Sequence, residues 1–246
     1  MRLAVVAVPV AAVGAAALLA HAAYTAPAVA VTASARPDVR HVYLRDCAFC
    51  HGANARGTDL GPSLHGVGKA AIDYELTTGR MPLPHVGAAV VRRDPAYDGA
   101  TTRALVDYVA RVAGGDGPPI PRIPPDSGDL AAGGTLFRLQ CAACHAWSGG
   151  GGALLEREAP STHRATPTQI AEAVRVGPGN MPAFGGAALS DRDVRSVVRY
   201  VRYLDHPDDR GGEPLWHLGP MVEGAVAIVI ALGLLVLAVR AIGTRT

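Results

Sequence analysis

Apolar residues recur at helical spacing near the middle and near the end of this chain. Residues 101–112 and residues 190–204 each carry an apolar stripe, formed by Leu105, Val109 and Val112 in the first stretch and by Val194, Val197, Val201 and Leu204 in the second. Spacings of three and four residues place such side chains on one face of an α-helix. Ser190 and Asp193 approximate a capping box at the start of the second stretch. Both stretches are therefore predicted to be helices.

Another helix is predicted ahead of each of these two. It covers residues 39–47 in the first half and residues 132–141 in the second, where Leu136, Phe137 and Leu139 lie near helical spacing. The two halves thus begin and end alike, so the fold is predicted to be mainly α with two tandem domains. The glycine run at residues 149–152 is expected to be a flexible loop, because no lysine or strand-loop-helix pattern accompanies it.

A long apolar run follows the second half. Residues 218–239 approach the roughly 20 residues that an α-helix needs to cross a bilayer, and they are predicted to form a transmembrane helix. Glu223 lies near the start of this helix, where its carboxylate either sits at the level of the lipid headgroups or contacts a partner subunit. The run predicts that the protein is anchored in the cell membrane.

The charges beside this helix predict its orientation. Arg240 and Arg245 follow the helix and Trp216 precedes it. Basic residues favour the cytoplasmic side, and tryptophan favours the membrane interface. The tail at residues 240–246 is therefore expected in the cytoplasm, while the juxtamembrane segment at residues 208–217 and both preceding domains are expected on the extracytoplasmic side.

The N-terminal segment, residues 1–30, resembles a secretory signal peptide. Arg2 precedes an apolar stretch at residues 3–20, and small residues offer cleavage sites after Ala22 or Ala30. The segment could equally remain as a membrane anchor. Either outcome exports the region that follows, in agreement with the orientation of the C-terminal helix.

All four cysteines lie in two copies of Cys-x-x-Cys-His. The copies are formed by Cys47, Cys50 and His51 and by Cys141, Cys144 and His145. Two thiols one helical turn apart can each add to a vinyl group of one porphyrin, while the adjacent imidazole binds the iron. The motifs therefore predict two covalently bound haem c groups. Their extracytoplasmic location also suits the handling of thiols on the oxidising side of the membrane.

Two other kinds of site also contain Cys-x-x-Cys pairs. Two Cys-x-x-Cys pairs can form a Cys₄ zinc cage, but zinc does not require a histidine directly after both pairs. A thioredoxin-like redox site would have one Cys-x-x-Cys pair within alternating strands and helices. The repeated histidine and the helical pattern favour haem.

Met81 and Met181 are the candidate second axial ligands. Each follows a haem-binding histidine by a few tens of residues and precedes a proline, which favours an extended loop. A thioether raises the reduction potential, and an iron with both axial positions filled suits electron transfer rather than oxygen activation. His65 and His85 compete for this role. The histidines expected at the surface or at an interface are His41, His163, His206 and His217.

Composition and linker signals delimit the domains. The two cytochrome-like domains are predicted at residues 36–114 and 130–207, and a Pro- and Gly-rich linker at residues 115–129 joins them. The linker is either a spacer that sets the distance between two haems or an ordinary surface connection. Aromatic residues make up only 5% of the chain, so haem is expected to supply part of each small core. A net charge of +2 does not indicate a nucleic-acid partner.

Several further phrases accompany the haem motifs. They are Gly-Pro-Ser-Leu-x-Gly-Val-Gly at residues 61–68, Thr-Gly-Arg-Met-Pro at residues 78–82, and Gly-Pro-x-Asn-Met-Pro-x-Phe at residues 177–184. Together with the linker and the C-terminal helix, they resemble the dihaem cytochrome c subunit of the actinobacterial-type cytochrome bcc complex, the counterpart of cytochrome c1. The chain departs from that family at residues 84–100 and 211–216, which concerns partner contacts rather than the haems.

This resemblance implies two tandem class I cytochrome c domains and a role in a menaquinol:cytochrome c reductase. In that family a Rieske iron–sulfur protein, which works beside a cytochrome b subunit, reduces the N-terminal haem. The C-terminal haem then passes the electron to an aa3-type cytochrome c oxidase. By matching motif, Cys47, Cys50, His51 and Met81 would hold the first haem, and Cys141, Cys144, His145 and Met181 the second.

Other functions fit part of the pattern. A membrane-anchored dihaem shuttle, or the haem subunit of a periplasmic dehydrogenase, would need the same haem sites but other partners. Subunits of cbb3-type oxidases are expected to place their membrane helices before the haem domains, whereas the clearest helix here comes after them. A catalytic dihaem enzyme would open or replace an axial ligand, which two intact Met-Pro loops argue against.

Overall fold

The computed structural model describes residues 38–124, 126–154, 157–208 and 220–243. The predicted signal or anchor at residues 1–30 lies outside these ranges, as do residues 209–219 and 244–246. Trp216, His217 and Arg245 are therefore not described, and the predicted orientation across the membrane rests on sequence.

The first half contains four described helices. They are α1 at Val39–Asp46, α2 at Ala48–His51, α3 at Gly68–Thr77 and α4 at Gly99–Val112. Asp38 and Asp98 begin α1 and α4, because their carboxylates accept hydrogen bonds from backbone N–H groups that have no partner within the helix. The buried apolar residues of the four helices and their loops form one cluster: Val42, Tyr43, Ala55, Ile72, Leu76, Leu105, Val106, Val109, Ala110 and Ala113.

The second half repeats this order with a small hairpin added. Its elements are α5 at Leu130–Gln140, α6 at Ala142–His145, strands β1 at Gly152–Leu154 and β2 at Arg157–Ala159, α7 at Pro167–Val176 and α8 at Asp191–Tyr203. A separate cluster comprises Phe137, Ala142, Ile170, Ala171, Val174, Leu189, Val194, Val197, Val198, Val201 and Leu204. The hairpin pairs Gly152 with Ala159, so the glycine run was only partly the loop expected from sequence.

The four helices predicted from periodicity are present, with ends within two residues of those predicted. The capping box is confirmed, since the Ser190 hydroxyl and the Asp193 carboxylate each accept a hydrogen bond from the other residue's backbone N–H. Leu139 does not share the buried face of α5 and is 72% exposed. It lies two positions after the buried Phe137, and two positions turn an α-helix by more than half a circle.

Helices α5 and α8 cross at a glycine. A Cβ on Gly133 would lie 1.9 Å from the Ser196 carbonyl oxygen, so no other residue permits this approach. Tyr200 of α8 packs beside the crossing, with its ring 5.5 Å from that of Phe137. The crossing holds the helix that leads into the second Cys-x-x-Cys-His motif against the last helix of its half.

The two halves contact each other through α3 and α7, two helices that the periodicity analysis did not predict. Gln169 Nε2 of α7 donates a 3.2 Å hydrogen bond to the Thr77 carbonyl at the end of α3. The predicted linker also touches both halves, because the Pro118 carbonyl accepts from Ala70 N–H at 3.0 Å and Ile123 packs against the second cluster. The linker thus lies against both halves.

The C-terminal apolar run forms helix α9 at Pro220–Gly243. Its segment Val222–Gly243 has the length and composition of a membrane span. Those 22 residues extend about 33 Å at 1.5 Å per residue, slightly more than the roughly 30 Å of a bilayer's hydrocarbon core. The helix ends four residues beyond the predicted boundary and includes Arg240, whose long side chain can reach the interface from the last turn.

Candidate haem-binding sites

Both Cys-x-x-Cys-His motifs adopt the same backbone geometry. Cys47 N–H donates to the Tyr43 carbonyl at the end of α1, and Cys141 N–H donates to the Phe137 carbonyl at the end of α5. The motif histidine then donates its N–H to the carbonyl of the first cysteine, at 2.9 Å in each half. Each motif is therefore a short helical turn joined directly to a longer helix.

A proline carbonyl orients each motif histidine. His51 Nδ1 lies 2.8 Å from the Pro62 carbonyl oxygen, and His145 Nδ1 lies 3.0 Å from the Pro160 carbonyl oxygen. A carbonyl oxygen can only accept, so Nδ1 carries a proton, and Nε2 is left as the ring nitrogen that can bind a metal. This is the arrangement of a metal-binding imidazole, whose second nitrogen is held by an outer hydrogen bond that also raises its basicity.

The second motif lines a cavity of about 540 Å³. Cys141, Cys144 and His145 stand in its wall together with Met181. Its apolar lining includes Phe137, Ile170, Val174, Phe184, Val197 and Val201. The volume lies in the range of about 300–1,000 Å³ typical of cofactor and ligand sites. All four residues predicted to hold the second haem thus meet at one apolar cavity.

The loop that carries Met181 is folded back onto the end of α7. Gly177 ends that helix in the left-handed region at φ +65°, where a Cβ would lie 2.5 Å from Ala183 N and 2.7 Å from the Met181 carbonyl oxygen. Arg175 donates to the Phe184 and Leu189 carbonyls and fastens the far side of the loop. The glycine therefore allows the turn that brings Met181 to the cavity wall.

The first half brings two of its four candidate residues to its own apolar cluster. Cys47 and Met81 are both partly buried and pack against that cluster, beside Leu64 and Tyr97. Met81 N–H donates to the Glu75 carbonyl at 3.1 Å, which ties the methionine loop to the end of α3. The methionine and the first thiol of the motif therefore lie against the same core.

The first thiol of each motif is held in its protonated form by burial. Burial raises the pKa of Cys47 to about 11, and the Asp46 carboxylate adds to this shift. Burial also raises the pKa of Cys141 to about 11. Metal-binding and nucleophilic cysteines show the opposite shift, toward the thiolate. Within the described ranges no three His, Cys, Asp or Glu side chains gather as metal ligands.

Three other histidines lie outside the wall of the second cavity. His65 Nε2 faces the Asn54 carbonyl at 3.2 Å, and His85 Nδ1 faces the Val86 carbonyl at 3.1 Å; both side chains are exposed. His163 pairs with Asp205 at 2.8 Å. None of the three belongs to the wall of the cavity that holds His145 and Met181.

Comparison with known proteins identifies the family. Residues 128–201 match the family model described as cytochrome c oxidase, cbb3-type, subunit III. The cytochrome bc1 complex cytochrome c subunit of Mycobacterium tuberculosis is 39% identical over 209 residues, which cover 79% of this chain and 74% of the relative. That of Corynebacterium diphtheriae is 36% identical over 219 residues, covering 81% and 77%.

The chain belongs to the family of cytochrome bc1 complex cytochrome c subunits. It is thus an electron-transfer subunit of an oxidoreductase, and membership of the cytochrome c family implies covalently bound haem c. A shorter match, 44% identical over 77 residues, covers 30% of this chain and 89% of a cytochrome c6 from Leptolyngbya boryana. The resemblance inferred from the sequence motifs is confirmed at the level of the family.

Several residues of this cytochrome c subunit escaped sequence analysis. The Pro62 and Pro160 carbonyls lie 11 and 15 residues after the histidines that they orient. Every residue has a backbone carbonyl, so the sequence does not mark the ones that accept these hydrogen bonds. Residues of the first half also line the second cavity, namely Tyr74, Glu75, Arg80, Val90 and Arg92. Arg80 had a sequence signal in its place before Met81, and Val90 and Arg92 lie in the segment 84–100 that departs from the family, but neither signal pointed to the second haem.

Proposed function

We propose that this subunit holds two haem c groups and relays electrons from a Rieske iron–sulfur protein to an aa3-type terminal oxidase. When bound, each haem takes up and releases one electron at its iron. Cys47, Cys50, His51 and Met81 would hold the first haem, and Cys141, Cys144, His145 and Met181 the second. The first half would receive the electron and the second half would deliver it.

The repeated geometry of the histidines carries this proposal. In both halves the imidazole Nδ1 is engaged by a proline carbonyl, at 2.8 Å for His51 and 3.0 Å for His145, so each ring offers Nε2 to a metal. A Met-Pro pair follows each histidine, and in each half the methionine and the motif's first cysteine pack against the same apolar cluster. Two equal sets of attachment and axial groups are expected of two equal cofactors rather than of one.

The proposed organisation follows the two clusters. Residues 36–114 and 130–207 would each enclose one haem, with residues 115–129 as the connection between them. The C-terminal helix would anchor both in the membrane on the extracytoplasmic side, with residues 240–246 in the cytoplasm. A C-terminal tag should accordingly be degraded by added protease in sealed inside-out vesicles and survive in sealed right-side-out vesicles.

Purification of the tagged chain from membranes in mild detergent tests the proposed partners. We expect cytochrome b, a Rieske protein and an aa3-type oxidase to copurify, with haems b and a visible in the redox difference spectrum. The pyridine haemochrome should give two haems c per chain. Recovery of this chain alone would instead support the membrane-anchored shuttle, and one haem c per chain would contradict the dihaem assignment.

Axial-ligand variants test the residues. Met81→Ala and Met181→Ala should keep both haems covalently bound but lower the reduction potential of one haem each, because a soft thioether raises the potential. His145→Ala should have a larger effect on the second haem than the methionine variants have. His163→Ala is the matched control, because His163 pairs with Asp205 away from the cavity. Unchanged potentials in either methionine variant would refute that ligand assignment.

A further inference from the structure

The wall of the second cavity contains basic residues from the first half of the chain. Arg80 lies in the loop after α3 and Arg92 in the segment before α4, yet both line the cavity with His145 and Met181. Arg80 is 9% exposed, and its Nη1 has no hydrogen-bond partner. A guanidinium is always charged, and a buried charge without a partner is strongly unfavourable. The Arg80 guanidinium can therefore donate from Nη1 to an anion in the cavity.

Packing holds both guanidinium groups in place. The Arg80 Cζ lies 4.8 Å from the centre of the Tyr74 ring, a cation–π contact. Arg92 Nη2 donates to the Arg164 carbonyl at 2.7 Å and to Gln169 Oε1 at 2.9 Å, so Arg92 is fastened to the second half. Neither of these two hydrogen bonds involves Nη1 or Nε of Arg92. The two arginines are thus oriented groups rather than mobile surface side chains.

Like charges surround Arg92. Burial lowers the pKa of Arg92, and the charges of Arg80 and Arg164 lower it further. Two acidic residues also line the cavity: Glu75, whose Oε2 has no hydrogen-bond partner, and the exposed Glu158. No hydrogen bond joins Glu75 to Arg80 Nη1, so both groups can bind a further partner in the cavity.

Haem carries two propionate carboxylates, which are the anions that such a wall would bind. We propose that Arg80 and Arg92 of the first half bind the propionates of the haem held by the second half. Guanidinium groups bind carboxylates through paired N–H donors, which adds geometric specificity to the attraction. This inference rests on the proposed function, in which Cys141, Cys144, His145 and Met181 hold that haem. The second haem site is then completed across the contact between α3 and α7.

The arrangement also ties the two cofactors together. Arg80 directly precedes Met81. Two adjacent residues would therefore supply a ligand to the first iron and a carboxylate-binding group to the second haem. Gln169 of α7 accepts a hydrogen bond from Arg92 and donates one to the Thr77 carbonyl at the end of α3. Gln169 therefore bonds to two segments of the first half. The contact between the halves therefore determines how the two haems stand relative to each other.

Redox titration of the full-length protein tests this assignment. The variants are Arg80→Gln, Arg92→Gln and the double variant, and the control is Arg111→Gln, which removes an equal charge from a cation–π contact with Tyr108 on α4. The titration component that Met181→Ala displaces identifies the second haem. Loss of a nearby cation favours ferric haem, so we expect the double variant to lower that component's potential and the control to leave it unchanged.

The expected size is at least a tenfold fall in the ratio of reduced to oxidised second haem at a fixed potential. For a one-electron couple this corresponds to about 59 mV. An unpaired propionate also takes up a proton more readily, so the potential of the second haem should become pH-dependent near neutrality in Arg80→Gln. Arg80→Lys, which keeps the charge, should restore most of the potential. A purely structural role for Arg80 would not produce this pH dependence.

Each other outcome contradicts the inference in a distinct way. A shift confined to the component that Met81→Ala displaces would assign the arginines to the first haem. Unchanged potentials in all variants, with two haems c per chain, would remove the arginines from propionate binding altogether. If the unmodified protein instead contains fewer than two haems c, the proposed function fails before the arginines are tested. The pyridine haemochrome therefore separates the two failures.

Discussion

Two carboxyl groups meet where the halves of the protein contact each other, and their replacement should change how stability depends on pH. Glu172 of α7 is fully buried, and neither of its carboxyl oxygens has a hydrogen-bond partner within bonding geometry. Burial raises its pKa from 4.5 to about 9, and the nearby Asp73 carboxyl on α3 adds to the shift. Glu172 is therefore protonated at pH 7 in the folded protein and ionised in the unfolded chain.

The sign of the effect follows from this difference. A carboxyl whose pKa is raised by folding leaves stability unaffected below the unfolded pKa, and it lowers stability as pH rises from there toward the folded pKa. Each pH unit between 4.5 and about 9 costs about 1.4 kcal/mol. At pH 7 the accumulated loss is about 3 kcal/mol, or roughly 6–12 °C in Tm for a protein of this size.

Glu172→Gln removes the titration and keeps the shape, since an amide resembles the protonated acid. We expect the variant to match the unmodified protein near pH 4.5 and to exceed its Tm at pH 7 by roughly 6–12 °C. Asp73→Asn should weaken the pH dependence only in part, because burial is the larger cause of the shift. Asp59→Asn changes an exposed carboxyl and is the control.

Thermal unfolding of the full-length protein in detergent, followed by circular dichroism from pH 4.5 to 8, provides the measurement. The Tm of the unmodified protein should fall across this interval, and that of Glu172→Gln should fall less. If both proteins show the same slope, or if the unmodified protein shows none, Glu172 does not keep its proton on folding.

Three substitutions test the geometry that carries the second motif. Gly133→Ala should destabilise the protein by about 3 kcal/mol in denaturant titration, because its Cβ would lie 1.9 Å from the Ser196 carbonyl oxygen. The control Gly99→Ala, at the open start of α4, should be neutral or stabilising. Equal effects of the two substitutions would contradict the close crossing of α5 and α8. Gly177→Ala should displace the methionine loop and lower the second haem's potential in a redox titration, with an unchanged potential as the refuting result. Ser190→Ala should cost about 1 kcal/mol through loss of the cap on α8, measured in the same denaturant titration, and no loss would contradict the capping role.

Much of the fold was accessible from the sequence because its signals are local. Helical periodicity predicted the first and last helix of each half, and the Ser190 cap predicted where α8 begins. The last helix of each half carries a long apolar stripe, which gives a clear period. Helices α3 and α7 escaped because their buried positions do not form one apolar stripe at helical spacing. Every second residue of α3 from Gly68 to Leu76 is buried, and α7 buries the polar Gln169 and Glu172, since each helix packs against the other half as well as its own core. The apolar run at the C-terminus predicted α9 by length alone.

The sequence by itself determined the chemistry of the candidate sites. Cys-x-x-Cys-His places two thiols and an imidazole within one helical turn, and this spacing requires no distant contact. The Met-Pro pairs were recognisable because they repeat in equivalent places in both halves. Local covalent order was sufficient for these residues.

The tertiary structure alone decided the surroundings of those groups. Hydrogen bonds from His51 and His145 reach proline carbonyls 11 and 15 residues away, and Arg80 and Arg92 reach a cavity that belongs to the other half of the chain. Such contacts depend on how helices pack, and packing is set by the summed fit of many side chains rather than by any local spacing. The proton on each histidine and the charge around the second cavity therefore emerge only when the chain is folded.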